Sequence, residues 1–289
     1  MRIPESELII NSDGSAFHIH VKPEHLGDYV ILVGDPGRVQ IVKEMLSDIE
    51  SEGVSREFAH ATGWFNGKKV TALSTGIGCD NIDIVMNELD ALANIDFKTR
   101  EVKPEHRRLH ILRIGTTGAI QPEIPLGAFI LSHISIGCDG LLDWYAGRDS
   151  VSLLDFEEAF KKHVNWHPQL PAPYFVRASE EIIRKLEAVT VKGMTISASG
   201  FYGPQGRVVR LPLAMPKMVE DFETFSFKGY KITNFEMEGS ALAGLSALLG
   251  HDAATVCCAI AHRYKKESNP DYKPLIRNFV ATMLEHFTK

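Results

Sequence analysis

The stretch HILRIGTTGAIQP, residues 110–122, joins an apolar run to an end rich in glycine and threonine. A short apolar run bounded by turn residues predicts a buried β-strand. Further runs of the same character predict strands at 29–33 (YVILV), 70–74 (VTALS), 128–132 (AFILS), 194–198 (MTISA) and 254–260 (ATVCCAI). Between them, amphipathic patterns predict helices over 37–49, 81–95, 178–189, 239–249 and 274–287. This alternation predicts an α/β domain around a largely parallel sheet.

Composition and charge exclude several classes of function. The 289 residues carry 31 Lys plus Arg against 37 Asp plus Glu, a net charge of -6, with no long basic run, so we expect no nucleic-acid partner. The apolar stretch 253–261 is shorter than the ~20 residues of a membrane-spanning helix, and MRIPESELIINSDGS lacks the apolar core of a signal peptide. We therefore expect a cytoplasmic protein without a membrane partner. The four cysteines form no CxxC pair, which predicts neither a zinc site nor a disulfide framework.

Polar groups that follow two of the predicted strands suggest an anion site. The turn at 34–38 (GDPGR) places backbone N–H groups beside the Arg38 guanidinium, which suits a phosphate, although a plain turn with a solvated arginine has the same pattern. Arg113 lies inside an apolar strand, where a charge needs an anionic partner. That partner is either a phosphate or an internal carboxylate. The two motifs together favour the phosphate.

Two later segments suggest a sugar and a base. In Asn234-Phe-Glu-Met-Glu-Gly239, the carboxylates of Glu236 and Glu238 can accept hydrogen bonds from vicinal hydroxyls, or can complement the dipole of the helix that follows. The segment 200–207 (GFYGPQGR) offers an aromatic face with amide and guanidinium groups, which suits a uracil ring but is also a common loop composition.

Five motifs occur together in a family-specific order and spacing. They are GDPGRV at 34–39, SREF at 55–58, LRIGTTGAIQP at 112–122, FYGPQGR at 201–207 and FEMEGSAL at 235–242. In this the chain resembles the nucleoside phosphorylase family of the hexameric type, and within it the uridine-cleaving members. The resemblance implies a single domain over residues 1–289 with a mixed central sheet. It also implies that phosphate attacks C1′ of a nucleoside, through an oxocarbenium-like transition state, to give ribose 1-phosphate and free base. Phosphate is then a co-substrate, and no metal or organic cofactor is expected.

The resemblance also implies the site residues. Phosphate is expected to bind at Gly34, Arg38, Arg113 and Thr116, with Arg56 reaching in from a neighbouring subunit. Ribose is expected at Glu236, Met237 and Glu238, with His18 from the adjacent subunit. The base is expected at Phe201, Gln205, Arg207 and Arg263. Shared sites imply a homo-oligomer whose minimal functional unit is a dimer, with a hexamer implied by the family.

The base-binding residues favour a pyrimidine. Donors from Gln205 and Arg207 can stabilise a departing uracil anion without a general acid. Purine-specific relatives carry an acidic residue after the late apolar strand, where this chain has Ala261-His262-Arg263. We expect uridine as substrate, with deoxyuridine and thymidine left open. The alternatives are a purine nucleoside phosphorylase or nucleosidase of the same superfamily, and a catalytically silent nucleoside-binding protein.

The chain also departs from the family pattern. It is somewhat longer than is usual, and we expect insertions near 96–108 and 143–173, both of which look irregular. Bacterial relatives hold a monovalent cation through a glutamate, a backbone carbonyl and a serine. Glu57 and Ile77 match the first two, but Asn81 stands in place of the serine.

Overall fold

A computed structural model of the protein describes residues 2–263, 265–269 and 271–289. The helices are α1 (Pro36–Lys43), α2 (Cys79–Asn94), α3 (Arg148–Val151), α4 (Leu154–His163), α5 (Glu180–Leu186), α6 (Met218–Thr224), α7 (Gly239–Leu249) and α8 (Lys273–Phe287). The strands are β1 (Tyr29–Val33), β2 (Ser47–Ser55), β3 (Phe58–Phe65), β4 (Lys68–Ser74), β5 (Ile95–Asp96), β6 (Glu101–Val102), β7 (His110–Ala119), β8 (Phe129–Gly137), β9 (Tyr174–Arg177), β10 (Val191–Ser197), β11 (Ser226–Phe227), β12 (Tyr230–Glu236), β13 (Asp252–His262) and β14 (Glu267–Ser268). None of the helices in the described ranges is both long enough and apolar enough to cross a membrane.

The central sheet is mixed and partly closed. Parallel pairings join β4, β1, β7 and β13 into one group and β8, β10 and β12 into a second. Antiparallel contacts between β13 and β8, and between β12 and β7, connect the two groups at both sides. The strands β7, β13, β8, β10 and β12 therefore form a closed ring, and β2 and β3 extend the sheet beyond β4.

Helices cover both faces of the sheet. Successive residues of β1 alternate between two cores, with Val30 and Leu32 in one and Ile31 and Val33 in the other. The first core contains the buried faces of α2 and α7, and the second contains those of α1, α5 and α8. A third core, rich in phenylalanine, lies between α4, α6 and the strands β8 to β12. The predicted single α/β domain with a mixed sheet flanked by helices is confirmed.

Most of the predicted elements occur near their predicted bounds, but two expectations are wrong. The helix predicted over 37–49 ends at Lys43, and the chain then pairs along β3 as the strand β2. The segment 143–173 is not irregular, because it contains α3 and α4 and supplies Phe156 and Phe160 to the third core. The segment 96–108 forms part of the small hairpin of β5 and β6. Whether these segments are insertions stays a prediction.

Candidate active site

A cavity of about 590 Å³ lies at the carboxyl ends of β1, β7, β10, β12 and β13. Ligands of α/β proteins bind at this edge of the sheet, where loops and helix N-termini converge. Ten of the residues predicted for phosphate, ribose or base line the cavity: Gly34, Arg38, Arg113, Thr116, Phe201, Gln205, Arg207, Glu236, Met237 and Glu238. A larger cavity of about 960 Å³ shares Arg207, but its lining is mostly apolar and contains no carboxylate among the described residues. The smaller cavity is therefore the one equipped for polar chemistry.

Arg113 is buried in β7 and pairs with two carboxylates. Its Nη1 lies 3.2 Å from Glu236 Oε2, and its Nη2 donates to Glu238 Oε2. A Cβ atom at Gly115 would lie 2.4 Å from Nη1, so only glycine at that position admits the guanidinium. Burial by itself would lower the pKa of Arg113, but the adjacent carboxylates outweigh burial and raise the pKa above its ordinary value. Of the two partners that the sequence left open for Arg113, the structure contains the internal carboxylate.

Glu236 and Glu238 differ in their surroundings. Glu236 ends β12 and accepts hydrogen bonds from the Ser197 hydroxyl and from the backbone N–H groups of Glu238 and Gly239, at 2.8 Å and 2.9 Å for the two amides. It therefore caps the N-terminus of α7, as the dipole interpretation expected. Glu238 makes fewer contacts: apart from the Arg113 pair, its carboxylate accepts, among the residues that the structure describes, only from the Gly78 N–H, at 2.7 Å. Burial raises the pKa of Glu238, Arg113 opposes this, and Glu236 raises the pKa further.

Arg38 is the second arginine of the cavity. It lies in the first turn of α1, whose N-cap residue Asp35 accepts a hydrogen bond of 2.9 Å from the Gly37 N–H. No hydrogen bond or ion pair joins the Arg38 side chain to any residue within the described ranges, although only 9% of Arg38 is exposed. None of its nitrogen atoms is among the fully buried atoms that lack a partner, so the guanidinium is open to the cavity and can bind an anion there.

The loop after β10 forms the other end of the cavity. Arg207 stacks over the Phe201 ring, with its Cζ 3.8 Å from the ring centroid, and its Nη1 donates to Gln205 Oε1 at 2.7 Å. Burial, followed by the nearby Arg263, lowers the pKa of Arg207 to about 10. Arg263 Nη2 donates to the Gln205 backbone carbonyl at 2.9 Å. Gln205 is buried and held from two sides, so this is an ordered loop.

His18 and Arg56 do not line this cavity in their own chain. Arg56 is exposed in the turn between β2 and β3. His18 Nδ1 lies 2.5 Å from Glu88 Oε1, on α2. Their positions are compatible with the expectation that both residues serve a neighbouring subunit.

The three residues predicted for a monovalent cation lie near one glycine. A Cβ atom built on Gly76 would lie 2.7 Å from Asn81 Nδ2 and 3.0 Å from Glu57 Cγ, so both side chains flank this residue. Ile77, the next residue, is exposed. Cation binding by this group stays a prediction.

A sequence model described as the phosphorylase superfamily matches residues 28–287. The chain belongs to the phosphorylase superfamily. The uridine phosphorylase of Thermococcus kodakarensis is 28% identical to this superfamily member over 261 residues, which cover 88% of this chain and 80% of that protein. The uridine phosphorylase of Escherichia coli is 28% identical over 265 residues, 89% of each chain. These matches confirm the family predicted from the motifs.

A solved structure also resembles this phosphorylase superfamily member along nearly its whole length. The nucleoside phosphorylase of Trypanosoma brucei, described as showing uridine phosphorylase activity, superimposes with a TM-score of 0.89. It is 28% identical and the superposition covers 97% of this chain and 99% of that chain. The ring-closed α/β sheet described above is therefore the architecture of a nucleoside phosphorylase.

Sequence reasoning missed several residues of this phosphorylase's site. Ile260 and Tyr272 line the cavity. Ile260 could have been predicted because it lies near the end of a strand, but nothing in the sequence around Tyr272 marks it as a site residue. Glu88 accepts hydrogen bonds from the backbone N–H groups of His18 and Ile19, each at 3.0 Å, as well as contacting the His18 ring. It lies 70 residues from His18, so only the fold brings the two together.

Proposed function

We propose that this protein is a uridine phosphorylase, which converts uridine and phosphate into uracil and ribose 1-phosphate. The observation that carries the proposal is the lining of one cavity by three kinds of group. Arg38 and Arg113 are cationic, Glu238 is a carboxylate, and Gln205 with Arg207 form an ordered amide and guanidinium pair. The two arginines complement an anion, the carboxylate complements a sugar diol, and the amide and guanidinium pair complements the edge of a pyrimidine. The named relatives with uridine phosphorylase activity support the same assignment.

The phosphate binds at Gly34, Arg38, Arg113 and Thr116. Arg38 offers donors that no described residue uses, and the buried Arg113 Nε also lacks a hydrogen-bond partner among the described residues. Donors that no protein group uses can form charge-assisted hydrogen bonds with an anion. Arg113 Nη2 exchanges its contact with Glu238 for a phosphate oxygen. Thr116, half-buried on β7, adds a hydroxyl donor.

Release of Glu238 from Arg113 prepares the ribose site. Glu236 remains engaged by α7, so its position does not change, whereas Glu238 has few other contacts. The freed Glu238 carboxylate accepts hydrogen bonds from the ribose hydroxyls, beside Met237. Its negative charge also favours the positive charge that develops on the sugar as the C1′–N1 bond breaks. Phosphate binding and sugar binding are coupled in this way through one ion pair.

The base leaves as an anion stabilised by Gln205 and Arg207. The electron pair of the C1′–N1 bond passes to the pyrimidine, and a phosphate oxygen forms the new bond to C1′. Arg207 occupies the Gln205 carbonyl oxygen, which leaves the Gln205 amide N–H groups to donate to a base carbonyl. Phe201, Ile260 and Tyr272 provide apolar surface for the ring. The described lining residues in the segments that contain Phe201, Ile260 and Tyr272 include no carboxylate. The base end of the cavity therefore offers no acid for a purine N7.

The active site is shared between subunits, with a dimer as the minimal unit and a hexamer as the assembly expected from the family. Arg56 and His18 lie outside their own chain's cavity and complete the phosphate and ribose sites of a partner. Glu88 holds the His18 ring by its Nδ1, which directs Nε2 outward. Phosphate is the co-substrate, and the chemistry requires no organic cofactor. A cytoplasmic location stays a prediction.

The base class is tested by measuring release of uracil, thymine, hypoxanthine and adenine from their nucleosides in the presence of phosphate. We expect kcat/KM to be highest for uridine. Arg207→Ala should lower kcat/KM for uridine at least about tenfold, the effect of losing one charged hydrogen bond. Arg210 is an exposed arginine of the same loop that does not line this cavity. The matched control Arg210→Ala should therefore change kcat/KM for uridine by less than about twofold. Preferred release of a purine, or equal losses in both variants, would contradict the proposal.

A further inference from the structure

Three ligand-bearing side chains converge at the end of the sheet opposite the nucleoside cavity. His110 begins β7, Asp252 begins β13 and Glu181 lies in the first turn of α5. His110 Nδ1 lies 3.5 Å from Asp252 Oδ2 and 3.9 Å from Glu181 Oε1. One ligand atom from each residue lies within 4.8 Å of the other two.

The backbone fixes this arrangement. Asp252 and His110 are direct partners in the parallel ladder of β13 and β7, so their side chains project from the same face. Ser179, at the N-cap of α5, donates from its hydroxyl to Asp252 Oδ1 and from its N–H to the Ala253 carbonyl, each at 2.8 Å. These bonds orient the Asp252 carboxylate and hold the start of α5 against β13. His110 and Asp252 are therefore held in place beside each other, and only Glu181 has to adjust.

Two atoms of the cluster have unused hydrogen-bonding capacity. His110 Nδ1 and Asp252 Oδ2 are both buried from solvent, and neither makes a hydrogen bond with any residue that the structure describes. Buried polar atoms cost free energy unless they are paired, and here two of them face each other. A ligand bound by both atoms would satisfy them together.

A second cluster of possible metal ligands, with two histidines and one carboxylate, shows the contrast. In the cluster of Asp90, His106 and His251, the Leu109 N–H donates to His251 Nδ1 at 3.2 Å, and His251 Nε2 contacts Asp90 Oδ1 at 3.2 Å. His106 Nε2 contacts the Leu249 carbonyl at 2.9 Å. Internal partners account for these ring nitrogens, so this cluster needs no ion.

We propose that His110, Glu181 and Asp252 form a binding site for a divalent transition-metal ion of the zinc class. One imidazole and two carboxylates are ligands that zinc accepts, and bonds of about 2.1 Å in a tetrahedral site place neighbouring ligands roughly 3.4 Å apart. The distances of 3.5 Å and 3.9 Å approach this value, and Glu181 is exposed enough to close the difference by a rotamer change. The ligands are far apart in the chain, so no local spacing could reveal them.

In the absence of metal, two basic side chains lie beside the carboxylates of Asp252 and Glu181. Arg108 Nη1 is 3.6 Å from Asp252 Oδ2, and Lys185 Nζ is 3.6 Å from Glu181 Oε1. The Arg108 side chain is 62% exposed, so the entering metal displaces it into water at small cost. Metal bound here links β7, β13 and α5 at the end of the sheet away from the nucleoside cavity, with the fourth position of a tetrahedral site left to water.

The probe is Zn²⁺ titrated calorimetrically into the chelator-treated full chain. Wild type should bind one Zn²⁺ per chain. His110→Phe, which keeps the aromatic stack on Tyr29, and Glu181→Gln should each bind at least tenfold more weakly. His106→Ala, in the contrasting cluster, should bind as wild type does.

The melting temperature provides a second readout. At the same concentration, Zn²⁺ should raise the Tm of wild type and of His106→Ala, and should raise the Tm of Glu181→Gln by a smaller amount. Glu181 is partly exposed at the start of a helix, so this variant folds even if His110→Phe does not. Absence of Zn²⁺ binding by wild type, binding by Glu181→Gln that is as tight as that of wild type, or binding that is lost in His106→Ala would overturn the proposal.

Discussion

Replacing Arg113 by methionine should cost both stability and activity, whereas replacing Arg38 should cost activity alone. Arg113 stands between two buried carboxylates, with Glu236 at 3.2 Å and Glu238 in direct contact. Its removal leaves both carboxylates buried without their cation, which costs about 3–5 kcal/mol. That is a large part of the roughly 5–15 kcal/mol that stabilises a typical protein. Arg38 has no hydrogen bond or ion pair with any described residue, so Arg38→Met should change the free energy of unfolding by no more than about 1 kcal/mol.

The kinetic effect of the two variants should be similar. A hydrogen bond to a charged group is worth about 1.5–3 kcal/mol, which corresponds to about 10- to 150-fold in kcat/KM for phosphate. Urea denaturation gives the free energy of unfolding, and initial rates against phosphate concentration give kcat/KM. An equal loss of stability in Arg38→Met and Arg113→Met, or a free energy of unfolding of Arg113→Met within about 1 kcal/mol of the wild-type value, would contradict these roles of the two arginines.

Three further predictions concern the contact of Glu88 with His18, the carboxyl of Asp139 and the sharing of sites between subunits. Glu88→Ala should destabilise the protein by about 1–3 kcal/mol, because two backbone N–H groups lose their acceptor. His18→Ala should mainly reduce activity. Urea denaturation measures the first effect and uridine kinetics measure the second. Asp139, which accepts hydrogen bonds from the hydroxyls of Tyr174 and Ser240, has a pKa raised by burial. Folding therefore favours its protonated form, and this contribution to stability is lost as the pH rises through the raised pKa. Asp139→Asn should therefore gain stability relative to wild type between about pH 4 and about pH 8, as measured by denaturation at both values. Mixing Arg56→Ala with Arg38→Met should restore about a quarter of wild-type activity, since half of the random dimers carry one intact site; no recovery after subunit exchange would contradict site sharing.

Local patterns predicted the parts of the fold that are buried and apolar. The strand predicted over 29–33 has those bounds in β1, and the helix predicted over 239–249 has those bounds in α7. The strand β2 (SDIESEGVS) could not be predicted this way, because most of its residues are exposed and it contains no apolar run. The pairing of β12 with β7 that closes the ring is a long-range contact without a local signal.

In the candidate site, too, the sequence predicted the residues that lie near strand ends but not the contacts that long-range packing creates. The residues at strand ends, such as Gly34, Thr116 and Glu236, follow from the rule that ligands bind at the carboxyl edge of a parallel sheet. The partner of Arg113 was not predictable, because a buried arginine requires an anion without specifying which one. The contact of Glu88 with His18 depends on the packing of α2 against the N-terminal segment.

The central claim is tested most directly by the stoichiometry of uridine cleavage with and without inorganic phosphate. Uracil and ribose 1-phosphate are measured in the same samples at saturating uridine. A phosphorylase built on the cavity of Arg38 and Arg113 should release the two products in a one-to-one ratio and should release no uracil without phosphate. Uracil release that does not depend on phosphate, with free ribose as the second product, would contradict the account.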